Sequence, residues 1–164
     1  MSDGRVAICP GTYDPVTYGH LDIIARAANV FDRLVVGVVN QPTRKQQTVF
    51  SAEERMAFVR EAVAAQANVE VEVFSILLVE FARKHGATAI VKGLRAISDF
   101  EYEFEMNQLN RRQAPEIESV YLMANPQYSF LSSSGVKELA TFDGDIDDLV
   151  PAEVAKRLKE ELRR

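Results

Sequence analysis

The chain has 164 residues and a formal net charge of −5, with 47% hydrophobic and 26% charged residues. This length supports one well-cored domain over residues 1–164, and the acidic balance argues against a nucleic-acid-binding protein, which usually has a basic face. The single cysteine, Cys9, excludes an internal disulfide, and the longest apolar runs are too short to span a membrane, so we expect a cytoplasmic protein.

Five short runs rich in β-branched residues alternate along the chain with segments of helical spacing. Strands separated by helices imply βαβ units and a mainly parallel sheet, and runs that are apolar on both faces indicate a sheet covered on two sides. We therefore predict an α/β fold with a doubly wound parallel sheet of five strands. The predicted strands cover residues 5–9, 33–40, 69–74, 88–92 and 118–124.

Several predicted helix ends carry residues that satisfy free main-chain groups. Ser51 and Glu54 form a capping-box pattern at the start of one helix. Lys84, His85 and Gly86 are typical of a helix end, which favours a capping role for His85 over a catalytic one. A C-terminal helix is predicted at about residues 151–163, because a proline is favoured at a helix start.

The segment at residues 97–113 has apolar residues on two faces of its predicted helix. Phe100 and Phe104 share one face with Ile97, and Tyr102 lies roughly opposite. A helix that is apolar on two faces is usually buried on both sides. We expect one side to pack on the sheet and the other to contact a second subunit.

Three segments that follow predicted strands carry polar or cationic groups: residues 12–20, 92–95 and 125–134. Ligands in open α/β sheets bind beyond the carboxyl ends of the strands, where the strand order reverses. If strands one, four and five are neighbours, the three segments converge on one crevice. The first segment, with Thr12 and a Gly-His pair before a helix, admits three interpretations: a capped helix start, a metal site or a phosphate site.

The residue types in these segments suit a phosphorylated ligand. Ser132, Ser133 and Ser134 begin a helix, and a helix N-terminus attracts anions. His20 can donate a hydrogen bond to a phosphoryl oxygen, and the Arg95 guanidinium matches the geometry of a phosphate. The sequence patterns of zinc sites, P-loop enzymes, dinucleotide-binding loops and serine hydrolases are absent. The joint placement therefore favours phosphate chemistry.

Longer stretches of the sequence carry family signatures. T-Y-G-H matches the (H/T)-x-G-H signature of the nucleotidyltransferase superfamily, and SSSGVK resembles its second signature. The ordered set PGTYDPVTYGH, NQPTRK, FSILLVEFA, IVKGLRAISDFEYEFEMNQLNR and YSFLSSSGVKE resembles the bacterial phosphopantetheine adenylyltransferase family over about residues 5–160. The resemblance implies a Rossmann-like fold, a Mg²⁺ requirement and a homohexamer. It also implies transfer of AMP from ATP to 4′-phosphopantetheine, giving dephospho-coenzyme A and pyrophosphate in coenzyme A biosynthesis.

The resemblance further implies roles for individual residues. His20 would stabilise charge on the reacting phosphate, Thr12 would orient the nucleophile, and Lys92 would pair with the phosphate of the acceptor. The implied catalytic residues are Thr12, His20, Arg44 and Arg95. The implied acceptor-binding residues are Thr12, Arg44, Leu78 and Lys92. The implied nucleotide-binding residues are Thr12, Tyr13, His20, Gly93, Leu94, Arg95, Glu103, Tyr128, Ser129, Phe130, Leu131, Ser132, Ser133 and Ser134.

Two features of the resemblance leave alternatives open. The family usually has Lys where Arg44 aligns, and Lys45 is adjacent, so either residue could reach the phosphates. No resident metal site is predicted: Mg²⁺ is expected to arrive on ATP, and the nearest carboxylate, Asp14, is at least as well explained by a turn.

Two rival functions also fit parts of the sequence. One is another adenylyltransferase or cytidylyltransferase of the superfamily, and the other is a non-catalytic sensor of adenine nucleotides or coenzyme A. FSILLVEFA and GLR…DFEYE favour the phosphopantetheine enzyme over the first rival. The intact set of phosphate-binding residues argues against the second, because a sensor needs no groups that act on a transition state.

Overall fold

Strands and helices alternate along the chain, as the sequence pattern predicts. The computed structural model describes residues 4–42 and 47–163, so Arg44 and Lys45 lie outside the described residues. The strands are β1 (Val6–Gly11), β2 (Arg33–Val39), β3 (Val69–Phe74), β4 (Ala89–Leu94) and β5 (Glu118–Met123). The helices are α1 (Tyr18–Val30), α2 (Ala52–Ala62), α3 (Leu78–Lys84), α4 (Ile97–Gln113), α5 (Ser133–Thr141) and α6 (Ala152–Leu162), with a 3₁₀ turn at Pro126–Tyr128.

The five strands form one parallel sheet in the order β3-β2-β1-β4-β5. The chain builds outward from β1 through β2 to β3, and then places β4 on the other side of β1. The connections that leave β1 and β4 therefore run in opposite directions, and a crevice opens above the carboxyl ends of these two strands. The predicted parallel sheet is confirmed, and strands one, four and five are neighbours, which is the condition for the three polar segments to converge.

Two hydrophobic clusters cover the two faces of the sheet. Successive strand residues point to opposite faces, so Ala7 and Cys9 of β1 join one cluster and Ile8 joins the other. The first cluster includes side chains of α1, α2, α5 and α6, and the second includes those of α3. Burial of both faces explains why β2, with the sequence RLVVGVV, is apolar without alternation.

The predicted helix ends are present. Glu54 N donates to Ser51 Oγ at 3.2 Å and Ser51 N donates to Glu54 Oε2 at 2.9 Å, which completes the capping box of α2. His85 is the C-cap of α3, and Gly86 follows in the left-handed region with φ of 65°, which favours glycine. The His85 Nε2 atom also lies 2.9 Å from Glu72 Oε2. This histidine therefore has a structural setting far from the crevice at the other end of the sheet.

Helix α4 covers residues 97–113, as predicted, and keeps a large apolar surface exposed. Phe100 is 55% exposed and Phe104 is 56% exposed, and their rings stack at 6.1 Å. Tyr102 and Leu109 are exposed as well. Within the described residues, neither α4 nor any other helix combines the length and apolarity needed to cross a membrane.

Asp14 joins the loop after β1 to two other segments that border the crevice. Its buried carboxylate accepts hydrogen bonds from the main-chain N–H groups of Val49 at 2.9 Å and Phe50 at 3.0 Å. Lys137 of α5 donates to the same carboxylate at 3.2 Å. The interpretation of Asp14 as a turn residue is incomplete, because Val49 and Lys137 lie 35 and 123 residues away in sequence.

We predict that Asp14→Ala lowers the free energy of unfolding by about 2–4 kcal/mol, because it leaves two N–H groups and one ammonium without their acceptor. In a chain of this size the loss corresponds to a fall in Tm of roughly 5–15 °C. Asp147→Ala is the matched control, since Asp147 is also ion-paired, to Lys159 at 3.1 Å, but is 73% exposed. Differential scanning calorimetry measures both variants, and equal Tm values for the two would contradict the structural role of Asp14.

Candidate active site

The three segments that sequence analysis identified come together at the carboxyl ends of β1, β4 and β5. Arg95, just after β4, donates through Nη1 to the carbonyl of Leu131 at 2.7 Å, which joins the β4 segment to the loop after β5. Ser133, at the start of α5, donates through Oγ to the carbonyl of Pro15 at 2.8 Å, which joins α5 to the loop after β1. The predicted convergence on one crevice is confirmed.

His20 lies in the first turn of α1 and is held by the residue that caps this helix. Thr17 N donates to His20 Nδ1 at 3.0 Å, and His20 N donates to Thr17 Oγ1 at 3.3 Å, so the two residues form a capping box. Because a main-chain N–H donates to Nδ1, the neutral ring carries its proton on Nε2. The helix cap therefore orients the imidazole as a hydrogen-bond donor through Nε2.

The Thr12–Tyr13 peptide lies between β1 and α1. Tyr13 has a φ of 52°, in the left-handed region that non-glycine residues seldom adopt. Its side chain is 4% exposed and its hydroxyl donates to the carbonyl of Cys9 at 3.0 Å. A Cβ at Gly11 would lie 2.8 Å from the Tyr13 ring, so only glycine fits there. Tyr13 is thus available to a ligand through its main chain.

Cys9 lies close to the site but is not suited to act as a nucleophile. It is buried at the end of β1, as its apolar surroundings in the sequence predict. Burial raises the pKa of the Cys9 thiol to about 11, so the thiol remains protonated at neutral pH. A protonated and buried thiol is a poor nucleophile, which argues against a covalent cysteine intermediate.

Arg95 is anchored on two sides at the rim of the crevice. Its Nε atom lies 3.0 Å from Oδ2 of Asp99, in the first turn of α4, and its Nη1 atom donates to the Leu131 carbonyl. The Arg95 side chain is 38% exposed, and the two contacts fix the plane of the guanidinium. Gly93 lets α1 approach β4 closely, because a Cβ there would lie 2.9 Å from Ile23 Cγ1. Leu94, between them, is half-buried as the last residue of β4.

Lys92 and Glu103, which the sequence analysis assigned to different substrates, form an ion pair. Lys92 Nζ lies 3.1 Å from Glu103 Oε1 and 3.0 Å from Oε2, and both side chains are mostly buried. The main-chain carbonyl of Glu103 accepts a hydrogen bond from the Tyr121 hydroxyl at 3.2 Å. A ligand phosphate at Lys92 would therefore compete with the Glu103 carboxylate for the same ammonium group.

The three serines at the start of α5 have different environments. Ser132 is the N-cap, and its Oγ accepts from Gly135 N at 3.0 Å. Ser133 is bonded to the Pro15 carbonyl, whereas Ser134 is exposed. Ser133 already donates its hydroxyl proton to the Pro15 carbonyl, whereas Ser132 only accepts. An anion at this helix start would therefore meet main-chain N–H groups and the hydroxyls of Ser132 and Ser134.

The residues that precede these serines face in different directions. Tyr128 and Leu131 pack against the start of α1, since a Cβ at Gly19 would lie 3.6 Å from each of them. Ser129 donates through Oγ to the carbonyl of the residue three positions earlier at 2.8 Å, which closes its own turn. Phe130 is 71% exposed and lines an apolar cleft of about 460 Å³ beside α5. Only part of the predicted stretch thus borders the β1–β4 crevice.

Leu78 does not lie at the β1–β4 crevice. It begins α3, which follows the edge strand β3, and β2 separates β3 from β1. Two residues before it, Ile76 lines a cleft of about 410 Å³ together with Asn40 and Phe74. Leu78 is half-buried against the second hydrophobic cluster. The structure places it near a second cleft along the same edge of the sheet.

Arg55 is a residue at this site that the sequence analysis does not identify. It lies on α2 and is 1% exposed, and its Nη1 atom donates to the Thr12 carbonyl at 2.7 Å. In the sequence it directly follows the capping box, in a charged stretch typical of a solvated helix face. No local pattern distinguishes it from the other charged residues of α2.

Comparisons with known proteins identify the family of this chain. Residues 8–139 match the Cytidylyltransferase-like family. The phosphopantetheine adenylyltransferase of Caldanaerobacter subterraneus subsp. tengcongensis is 50% identical over 160 residues, which cover 98% of this chain and 99% of that protein. The protein of the same name from Heliobacterium modesticaldum is 50% identical over 155 residues, with 94% and 91% covered.

A solved structure supports the fold independently. A Vibrio parahaemolyticus protein described as a nicotinate-nucleotide adenylyltransferase superposes with a TM-score of 0.67, covering 94% of this chain and 97% of that one. Its sequence is only 13% identical, so the likeness concerns the fold, which is the predicted Rossmann-like one. With half of its residues identical to curated relatives over nearly its whole length, this chain belongs to the phosphopantetheine adenylyltransferase family of nucleotidyltransferases.

Proposed function

We propose that this chain transfers AMP from ATP to 4′-phosphopantetheine, giving dephospho-coenzyme A and pyrophosphate in coenzyme A biosynthesis. The observation that carries the proposal is the convergence of the Thr12–His20 region, Arg95 and the start of α5 at the point where strand order reverses. The identity of about 50% to curated phosphopantetheine adenylyltransferases supports this choice of reaction and acceptor.

The proposed reaction is an in-line displacement at the α-phosphorus of ATP. An oxygen of the acceptor phosphate attacks, a new P–O bond forms, and the bond to the bridging oxygen of the β-phosphate breaks, so pyrophosphate leaves with the electron pair. The acceptor phosphate is already an anion, so no general base is required. Catalysis then consists of positioning and electrostatic stabilisation, as in other phosphoryl chemistry.

The site residues have distinct proposed roles in this displacement. His20 donates through Nε2 to an oxygen of the α-phosphate, where charge develops. Thr12 orients the nucleophile, and the main chain of Tyr13 contacts ATP. Arg95 and the N-terminus of α5 bind the β- and γ-phosphates. The remaining proposed nucleotide contacts come from Gly93, Leu94, Glu103 and residues 128–134.

The acceptor is proposed to extend from Lys92 of β4, at the crevice, toward Leu78, which follows the edge strand β3. On binding, the Lys92 ammonium leaves the Glu103 carboxylate and pairs with the phosphate of the acceptor. Leu78 lines the pantetheine arm, beside the cleft at Asn40 and Phe74. Arg44, or its neighbour Lys45, would reach the phosphates, and this assignment stays a proposal because both lie outside the described residues.

Mg²⁺ is proposed to enter as the MgATP complex. Among the described residues, no group of three or more His, Cys, Asp and Glu side chains is placed to hold a metal. The carboxylates nearest the crevice also have protein partners: Asp14 binds Lys137, Asp99 binds Arg95, and Glu103 binds Lys92. This donor set suits a Mg²⁺ ion that is held mainly by the phosphates and water.

The chain is proposed to act as a homohexamer in the cytoplasm, without nucleic acid or membrane. The exposed apolar side chains of α4, including Phe100 and Phe104, form a surface that suits a subunit contact. The buried free thiol of Cys9 is typical of proteins in a reducing compartment.

The reaction is tested by identifying the products by mass spectrometry. The purified chain is incubated with ATP, Mg²⁺ and 4′-phosphopantetheine, and in parallel with nicotinamide mononucleotide as acceptor or with CTP and glycerol 3-phosphate. We expect pyrophosphate and dephospho-coenzyme A in the first reaction only. Turnover with another acceptor would replace the proposed substrate, and binding of ATP without any turnover would favour a sensor.

We predict that His20→Ala lowers kcat about 10²–10³-fold, a barrier increase on the order of 2–4 kcal/mol, because one donor to the transition state is lost. His85→Gln is the matched control, since His85 is the chain's other histidine and lies at the opposite end of the sheet. Steady-state kinetics with both substrates saturating measure the effect. A near-wild-type kcat for His20→Ala would remove this residue from the mechanism.

The assembly is tested by multi-angle light scattering at micromolar concentration. We expect wild-type protein at six times the chain mass and Phe104→Glu at a lower multiple, because a charge on the α4 surface disfavours burial. Val30→Glu is the control, because Val30 is 50% exposed at the end of α1. We expect this variant to keep the assembly mass of the wild type. A wild-type chain that elutes as a monomer would contradict the hexamer.

A further inference from the structure

We propose that Arg55 is a positioning residue for adenylyl transfer, which acts by orienting the Thr12–Tyr13 peptide toward ATP. The inference rests on the proposed function, because it takes this peptide to face the reacting nucleotide. Arg55 lies on α2, outside the three segments that the sequence analysis assigned to the site.

The side chain of Arg55 binds the main chain of three separate segments. It donates to the carbonyls of Thr12 at 2.7 Å, Val39 at 2.8 Å, Asn40 at 3.0 Å and Phe50 at 3.1 Å. These carbonyls belong to the loop after β1, the end of β2 and the residue before the N-cap of α2. One guanidinium therefore fixes the carboxyl ends of β1 and β2 relative to each other and to α2.

The chemistry of this contact is specific to arginine. A guanidinium presents five N–H donors in one plane, and no other side chain can donate to four carbonyls from a buried position. Burial lowers the pKa of Arg55 from its usual range, because removal from water disfavours the charged guanidinium. The four carbonyls oppose this effect by accepting hydrogen bonds from the charged group. An apolar side chain of similar volume would fill the same space without that penalty, so the hydrogen bonds themselves account for a buried cation here.

The bond to Thr12 has a direct consequence for the neighbouring N–H group. In a trans peptide the C=O and N–H groups point in opposite directions, so a bond that fixes the Thr12 carbonyl also fixes the Tyr13 N–H. With its carbonyl side facing Arg55, this peptide directs the N–H away from α2. Among the described residues, no hydrogen bond from the Tyr13 N–H is present, so this donor is available to a ligand.

The backbone at Tyr13 needs such an anchor. Its φ of 52° is a sparsely populated conformation for a tyrosine, and such conformations persist when surrounding contacts over-determine them. Two contacts do so here: Arg55 holds the carbonyl before Tyr13, and the Tyr13 hydroxyl is bonded to the Cys9 carbonyl. Loss of either contact allows the peptide to rotate, and a displacement of about 1 Å at a reacting centre can lower the rate about 10²-fold.

Arg60 provides a matched control on the same helix. It also donates to a main-chain carbonyl, that of Val71 at 3.1 Å, but that carbonyl lies in the middle of β3. Ile117 provides a second control, because it is buried at the amino end of β5, the end of the sheet opposite to the crevice. Ile117→Ala is expected to destabilise the fold while leaving Arg55 and the four carbonyls that it binds unchanged.

The kinetic test compares Arg55→Lys with Arg60→Lys and Ile117→Ala. Lysine keeps the charge but has three donors on one atom instead of five in a plane, so it cannot replace the four bonds to carbonyls. We therefore expect kcat per folded protomer to fall about 10–100-fold. We expect the KM for 4′-phosphopantetheine to change less than about threefold, and both controls to keep kcat within about twofold of wild type. Arg55→Met, which keeps the volume but none of the donors, should lose at least as much. Tm values measured alongside separate a loss of folding from a loss of positioning.

Two kinetic outcomes would overturn the inference. In the first, the kcat of Arg55→Lys lies within about threefold of the kcat of Arg60→Lys. A difference of that size is smaller than the effect expected of a misplaced peptide. In the second, Arg55→Lys and Ile117→Ala lower Tm by the same amount, and Arg55→Lys lowers kcat no more than Ile117→Ala does. A wild-type chain that makes no dephospho-coenzyme A would overturn the proposed function, and the inference with it.

A crystal structure of the wild-type chain with α,β-methylene-ATP decides the question if the Arg55 variants fail to fold. Support requires the Tyr13 N atom to lie within about 3.2 Å of a phosphate oxygen while Arg55 remains bonded to the Thr12 carbonyl. A Tyr13 N atom that lies beyond hydrogen-bond distance from every phosphate oxygen would overturn the inference.

Discussion

The main-chain polar groups at the carboxyl edge of the parallel sheet impose the constraint on which the site depends. Inside the sheet the ladder pairs each N–H with a C=O group, but the ladder of β1 ends at Gly11 while residues 13–17 are still buried. A buried polar group without a partner costs about 1–3 kcal/mol. Arg55 supplies donors to four carbonyls and Asp14 supplies an acceptor to two N–H groups. The same contacts that stabilise this edge therefore fix the loops that form the crevice.

The crevice of this acidic protein contains three cationic side chains. The net charge of −5 is spread over the whole chain, and exposed charges more than about 8–10 Å apart are largely screened at physiological salt. At the crevice, Lys92, Arg95 and Lys137 are each paired with a carboxylate. Such pairs hold the cations in fixed positions before a ligand arrives. In the proposed reaction, Lys92 exchanges Glu103 for the acceptor phosphate on binding, and little further reorganisation is needed during the chemical step, where electrostatic preorganisation acts.

The sequence predicts the parts of this structure that depend on local patterns, and misses those that depend on distant contacts. The five strands, the capping box at Ser51 and the extent of α4 follow from periodicity and capping residues within one segment. The partnership of Lys92 with Glu103 does not, because it depends on how α4 lies against β4. Arg55 is 43 residues from Thr12 in sequence, and its helix position suggests solvent exposure. The orientation of α2 on the sheet, which no short pattern encodes, places it inside.

The T-Y-G-H stretch shows why a structural and a chemical interpretation of one motif need not compete. Thr17 caps α1 with its hydroxyl and donates its own N–H to His20 Nδ1. A proton on Nδ1 would remove that acceptor, so the cap is compatible with the tautomer that carries the proton on Nε2. A donor toward phosphate requires the same tautomer. The hydrogen bonds that cap α1 thus also fix the tautomer of His20. For this reason the T-Y-G-H pattern indicates both a helix start and a phosphate site.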